Sequence, residues 1–333
     1  MFIGHAMLGF ALVVLFAEWR GWPARRALAL GAVAGAFAAL PDIDVVYAVA
    51  AIDGGRFLGG GAVDPEAFWD AANAVHRSMT HSLVVAAVAG PAFGLWSSTV
   101  RRASGRQWLA SAGALSGLGG LVAVSIAVSG ALGSIVMGAF VLGGVGIATL
   151  TARRTDLSPR TVAIAATVGL LTHPWGDLVT GAPPQMLYPF DFGLLNARVV
   201  LHSDPTVHLL GAFALELAVV WLAVLAVVRV TDRSIRLFSD RSAALGAAYG
   251  AAAIVLVPPT LEVSYHFVFS ILAVGSVCGA LSWYRSVSPV QSVVWPGVVA
   301  TERLRPTFGA VAIALAGTTV ALVGYVVVYV ALV

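Results

Sequence analysis

The sequence predicts an all-α, polytopic transmembrane helix bundle of about ten spans with both termini outside. Of its 333 residues, 59% are hydrophobic and 11% charged, against about 25% charged in a soluble domain. Its charged and proline-rich breaks cut the chain into apolar stretches near the roughly 20 residues that a helix needs to cross a bilayer. The basic residues are all arginine, and sixteen of the nineteen fall in alternate loops, the bias of cytoplasmic loops.

Span 1 covers residues 2–18. It has neither a positive leading region nor a small-residue cleavage site, so it reads as a retained helix that keeps His5. Span 2 covers 27–45 and ends in Pro41-Asp42-Ile43-Asp44. Spans 3 to 6 cover 81–100, 108–128, 131–150 and 161–177. Spans 7 to 10 cover 206–228, 242–258, 263–284 and 308–332. Spans 4, 5 and 10 read as structural. Small-residue pairs four apart, Gly31/Gly35, Gly113/Gly117, Gly246/Gly250 and Gly275/Gly279, predict close helix approach. Residues 1–205 are expected to form the core that holds the site, with spans 4 and 5 inserted, and 206–333 a C-terminal bundle of no assignable role.

The arginine-poor loops hold only Arg56, Arg77 and Arg198, which places them outside. All seven histidines then fall on that outer side, an outcome of roughly one in 64 by chance if each side were equally open. Chemistry is expected there, on the extracytoplasmic face of an inner membrane. The net charge of +3 does not indicate nucleic-acid binding, because the arginines sit in small groups between apolar stretches. A single cysteine, Cys278, excludes an internal disulfide and a CxxC metal site.

Four blocks carry ionisable residues at this face: Gly4-His5, Pro41 to Asp44, His76 to Ser82, and His173 to Asp177 with Thr180-Gly181 and Tyr188-Pro189 following. Pro41 disfavours helix before it; if 42–44 is extended, Asp42 and Asp44 point to one side. His76 and His81 would converge through a turn, with Thr80 as helix N-cap and Thr80 and Ser82 as hydrogen-bonding supports. His173 and Asp177, four apart, share one helical face. The expected metal ligands are His5, Asp42, Asp44, His76, His81, His173 and Asp177; Asp44, Arg77 and Thr80 are the catalytic candidates. Mixed nitrogen and oxygen ligands suit zinc, manganese or ferrous iron, and their number permits one or two ions.

These blocks resemble the YdjM family, membrane-bound proteins described as LexA-binding, inner-membrane-associated metal-dependent hydrolases. The Asp-Ile-Asp and His-Arg-x-x-Thr-His-Ser blocks are the specific ones, and the resemblance runs over roughly residues 1–190. Ser78 stands where the family has glycine, and spans 4 and 5 lengthen the distance from His81 to His173. The resemblance implies metal-dependent hydrolysis and names no substrate. The Hx3D spacing is also similar to the ligand style of zinc phospholipase C.

The leading expectation is a divalent-metal hydrolase, zinc favoured, acting on a phosphoester of a phospholipid or lipid-linked substrate at head-group depth. Arg77 would hold a phosphate oxygen or pair with Asp42 or Asp44. Asp191, His202, Asp204 and His208 are secondary site candidates or loop and cap residues, and Glu262 and His266 a local pair. A metal or proton transporter is the rival, supported by Glu216 within span 7. A scaffold with a structural metal is the third reading.

Overall fold

The computed structural model of the chain describes residues 2–45, 77–101, 107–190, 192, 197–232, 241–287 and 305–332. Every regular element among them is helical. They fall into two compact units, Met1–Val199 and Val200–Val333.

The first unit begins with α1 (Phe2–Trp19) and α2 (Ala24–Ala39), followed by a 3-10 turn over Leu40–Val45. A second 3-10 turn, Met79–His81, leads into α3 (Leu83–Arg101), α4 (Gln107–Arg154), α5 (Pro159–Thr172) and the single turn α6 (Pro174–Asp177). Helix starts follow capping chemistry. Ser158 accepts from Thr161 N at 3.3 Å ahead of Pro159, and proline is preset for that first position. Ser82, not Thr80, caps α3: its Oγ accepts from Val84 N and Val85 N. The Met79–His81 turn delays the helix by two residues and frees Thr80 for other contacts.

In α4, Gly130 (φ 61°, ψ −144°) interrupts the helix in a region essentially restricted to glycine. A Cβ on Gly133 would strike the Ser125 carbonyl oxygen. Residues eight apart in one helix are separated by about 12 Å, so the chain doubles back here into two helical halves.

α5 packs against α1, α2 and α3. Gly90 abuts Thr167, Gly94 abuts Ala163, and a Cβ on Gly9 would lie 2.8 Å from Ala38 Cβ. The buried rings of Phe37, Phe93 and Phe140 lie in series, tilted to one another with centroids 5.2 and 6.1 Å apart, joining α2, α3 and α4.

The second unit contains α7 (Pro205–Thr231), a 3-10 helix over Arg241–Ala251, the turn α8 (Ala252–Val255), α9 (Tyr265–Val287) and α10 (Arg305–Leu332). All four expected small-residue pairs face neighbouring helices: Gly31 and Gly35 meet α1, Gly113 and Gly117 meet α3, and Gly246, Gly250, Gly275 and Gly279 meet α10.

Six helical stretches among the described residues are long and apolar enough to cross a membrane: Ala24–Val45, Leu83–Arg101, Gln107–Arg154, Pro205–Thr231, Tyr265–Val287 and Thr307–Leu332. Ile3–Trp19 is a shorter apolar helix. Residues 161–177, expected as one span, break at His173-Pro174 into α5 and α6, because proline removes a helical N–H and crowds the preceding turn. Residues 242–258, expected as one span, form a 3-10 helix and one α-turn that end at Val255 instead of a single α-helix.

Candidate metal centre

Two interrupted helix ends build the site. At the end of α2, Pro41 has no N–H to donate, and Leu40 N bonds Phe37 O in the tighter 3-10 pattern. The Asp-Ile-Asp block is therefore a 3-10 turn and not extended. Successive side chains advance about 120°, so Asp42 and Asp44 approach the site from different directions. At the end of α5, His173 Nδ1 lies 2.6 Å from Ala38 O. A carbonyl oxygen only accepts, so Nδ1 carries the proton and Nε2 presents its lone pair.

His81 is oriented in a comparable way. Thr80 Oγ1 donates to Asp44 Oδ2 at 3.3 Å and lies 3.0 Å from His81 Nδ1. With its proton given to the carboxylate, the hydroxyl accepts from Nδ1–H and turns Nε2 toward the centre. Asp44 thus stands on the Nδ1 side of His81, 3.5 Å away, while Asp42 approaches Nε2.

Four atoms converge: Asp42 Oδ1, His81 Nε2, His173 Nε2 and Asp177 Oδ2. His81 Nε2 lies 3.7 Å from Asp42 Oδ1 and 3.4 Å from Asp177 Oδ2; His173 Nε2 lies 3.6 Å from each. Four ligands held tetrahedrally at zinc bond lengths stand about 3.3–3.6 Å apart, and these four separations lie close to that range. His5 flanks the set, its Nε2 3.3 Å from Asp177 Oδ1 and its ring centroid 4.0 Å from that of His173. His5, Asp42 and His173, and likewise His81, His173 and Asp177, bring ligand atoms within 4.8 Å of one another.

All five side chains are buried, yet His173 Nε2 and Asp177 Oδ2 make no hydrogen bond. Buried polar atoms are normally satisfied, and a bound cation would satisfy these.

Arg77 differs from its expected phosphate-holding role. Its Nη1 donates to Ala182 O at 3.0 Å and more distantly to Asp177 O; its Nη2 donates to Thr180 Oγ1 at 3.1 Å and lies 3.4 Å from Asp177 Oδ1. The fork is spent on protein acceptors, and its ion-pair partner is Asp177, not Asp42 or Asp44. Asp44 instead accepts from the Arg77 backbone N–H at 3.2 Å. That bond holds Arg77 at a φ of 70°, a conformation costly for a side-chain-bearing residue.

His76 and Asp191 lie outside the described residues. His202, Asp204 and His208 belong to the second unit, where Asp204 caps α7 through Val207 N at 2.8 Å. His202 Nδ1 accepts from Asp204 N, and His208 Nδ1 from Leu201 N. Glu262 precedes α9, so the expected helical pair with His266 does not form; His266 Nε2 donates to Val257 O at 3.2 Å.

The Ala38 carbonyl escaped sequence reasoning; Gly176 and Gly181 belong to the named block, and the structure adds their role, since a Cβ on Gly176 would lie 2.7 Å from His5 Cε1 and one on Gly181 would strike Arg77 Nη1. The signal present for the carbonyl was Pro41, which disturbs the α2 carbonyl ladder.

A family model described as YdjM inner membrane protein matches residues 1–235. No curated protein and no solved structure matches the chain.

Proposed function

Because the chain belongs to the YdjM family of inner membrane proteins, we propose that it is a membrane-embedded metal-dependent hydrolase. Asp42, His81, His173 and Asp177 would hold a divalent cation, zinc first, with manganese or iron as alternatives, and His5 stands beside them. The observation that carries this reading is the convergence of buried ligand atoms in four pairs 3.4–3.7 Å apart, two of which, His173 Nε2 and Asp177 Oδ2, make no hydrogen bond. One ion is favoured over two: both candidate groups use His173, whose protonated Nδ1 leaves a single lone pair.

When bound, the cation supplies Lewis acidity and lowers the pKa of water toward ~7. The protein's residues position the rest. Asp44 and Thr80 hold His81 in the required tautomer, Ala38 does so for His173, and Arg77 and His5 hold Asp177 Oδ1 so that Oδ2 faces inward. Asp42 Oδ2 is the acceptor available for a water proton. A phosphoester of a lipid or lipid-linked molecule is the proposed substrate, and the arginine bias supports a ten-span topology with the centre near the extracytoplasmic head groups.

A non-catalytic scaffold with a structural metal is the second reading. It is favoured by one feature: four protein donors would close a tetrahedral shell, leaving no position for water. Transport has less support, because the candidate ligand groups found lie in the first unit and do not include Glu216.

Metal analysis of the detergent-purified protein beside Asp42→Ala and His173→Ala tests both metal readings; a wild type that retains no transition metal in non-chelating buffer would overturn them. Phosphate release from lipid vesicles by the metal-loaded protein then separates enzyme from scaffold.

A further inference from the structure

A second polar feature lies at the opposite end of α2, about 24 Å along the helix from the metal centre. A cavity of about 420 Å³ opens between the first turn of α2 and the connection from α4 to α5, within the roughly 300–1,000 Å³ of ordinary ligand sites. Arg25, Arg26 and Arg154 line it, against a single acid, Asp156.

The arginines are poorly explained by helix stability. Arg25 and Arg26 occupy the first turn of α2, where the exposed N–H groups favour an anion and penalise a cation. Pro23 precedes them and α2 has no side-chain cap. Arg26 lies over the Trp22 ring, 4.2 Å from its centroid, which restrains its planar fork. Arg154 approaches from the last turn of α4. Three guanidiniums and an uncapped helix start thus surround one opening, and all belong to the arginine-rich side of the chain. A basic cavity between helices of a membrane protein suits a lipid head group.

We propose that this cavity binds the phosphodiester head group of an anionic phospholipid in the leaflet that faces the arginine-rich loops. The forks of Arg25, Arg26 and Arg154 take the phosphate oxygens, and the start of α2 adds the N–H groups of Ala24 and Arg25, since Arg26 N and Ala27 N already donate to Pro23 O. The site is independent of the metal centre, and either can fail without the other.

Native mass spectrometry of the full-length, detergent-purified protein tests this with phosphatidylglycerol, phosphatidylcholine and inorganic phosphate as separate titrants. The wild type is expected to bind phosphatidylglycerol well above phosphatidylcholine. Each of Arg25→Gln, Arg26→Gln and Arg154→Gln should weaken binding about fivefold, since one basic residue near a membrane surface contributes about 1 kcal/mol. The triple variant should lose on the order of a hundredfold. Arg153→Gln, exposed beside the cavity but not lining it, should bind as the wild type does. Equal binding of the two lipids, or an Arg153→Gln loss matching that of Arg154→Gln, would overturn the cavity assignment. Displacement by inorganic phosphate at concentrations comparable with the lipid's would overturn the lipid as ligand. The substituted side chains are exposed, and a thermal melt of each variant separates lost binding from lost fold.

Discussion

Gly169 of α5 lies so close to Ala34 of α2 that an added Cβ would strike the Ala34 carbonyl oxygen. One turn later on each helix, His173 reaches Ala38 O at 2.6 Å. The backbone approach and the ligand orientation are therefore one feature: the two helices must meet this tightly for His173 to be held at its Nδ1.

Replacing Gly169 with valine should remove bound metal although no ligand is altered. Overpacking typically costs about 1–3 kcal/mol, and here the displacement separates His173 from Ala38. Metal stoichiometry and melting temperature should fall together; full metal content in Gly169→Val would mean that the approach does not set the site.

Deleting an inner ligand should act more selectively. Asp42→Ala, His81→Ala, His173→Ala and Asp177→Ala are each expected to abolish stoichiometric metal, measured by elemental analysis after purification. His202→Ala, in the second unit and hydrogen-bonded only locally, should leave it unchanged.

The Asp44–Thr80–His81 chain predicts a graded effect. Thr80→Val removes the hydroxyl that relays His81 Nδ1 to Asp44, leaving all four inner donors in place. Loss of such a supporting partner typically lowers metal affinity about 10–100-fold, which competition with a fluorescent chelator would read. Asp44→Asn should fall in the same range. An effect as complete as His81→Ala would instead make Asp44 a direct ligand.

Arg77 and Gly181 should behave as a pair. A Cβ at 181 collides with Arg77 Nη1, so Gly181→Ala should reproduce the metal-affinity loss of Arg77→Gln, and the double substitution should add little to either, as expected for residues in one contact. Additive losses in isothermal titrations would show that the two act separately.

Gly130→Ala tests the reversal within α4. The φ and ψ at this position are strained for any residue with a Cβ, by about 1–3 kcal/mol. A lower melting temperature is expected, with metal stoichiometry retained in the folded fraction.

Much of the site was legible before folding. Spacing in the His-Pro-Trp-Gly-Asp block placed His173 and Asp177 together, and they do face one centre, though across a break between α5 and α6 instead of along one helix. Asp42 and Asp44 also reach the site as a pair. They do so from a 3-10 turn and not an extended segment, and therefore diverge, one meeting His81 at Nε2 and the other at Nδ1. Arg77 was legible as part of the cluster but not by role, because its acceptors lie on backbone and side chains about 100 residues away.

Composition alone determined that this chain is helical and membrane-bound, since so apolar a sequence must satisfy its backbone polar groups internally once out of water. Residue type alone likewise marked the imidazoles and carboxylates able to bind a metal. Only the tertiary structure decided which of their atoms face inward. That choice depends on side-chain direction at two broken helix ends and on hydrogen bonds spanning up to 135 positions, which no local spacing encodes.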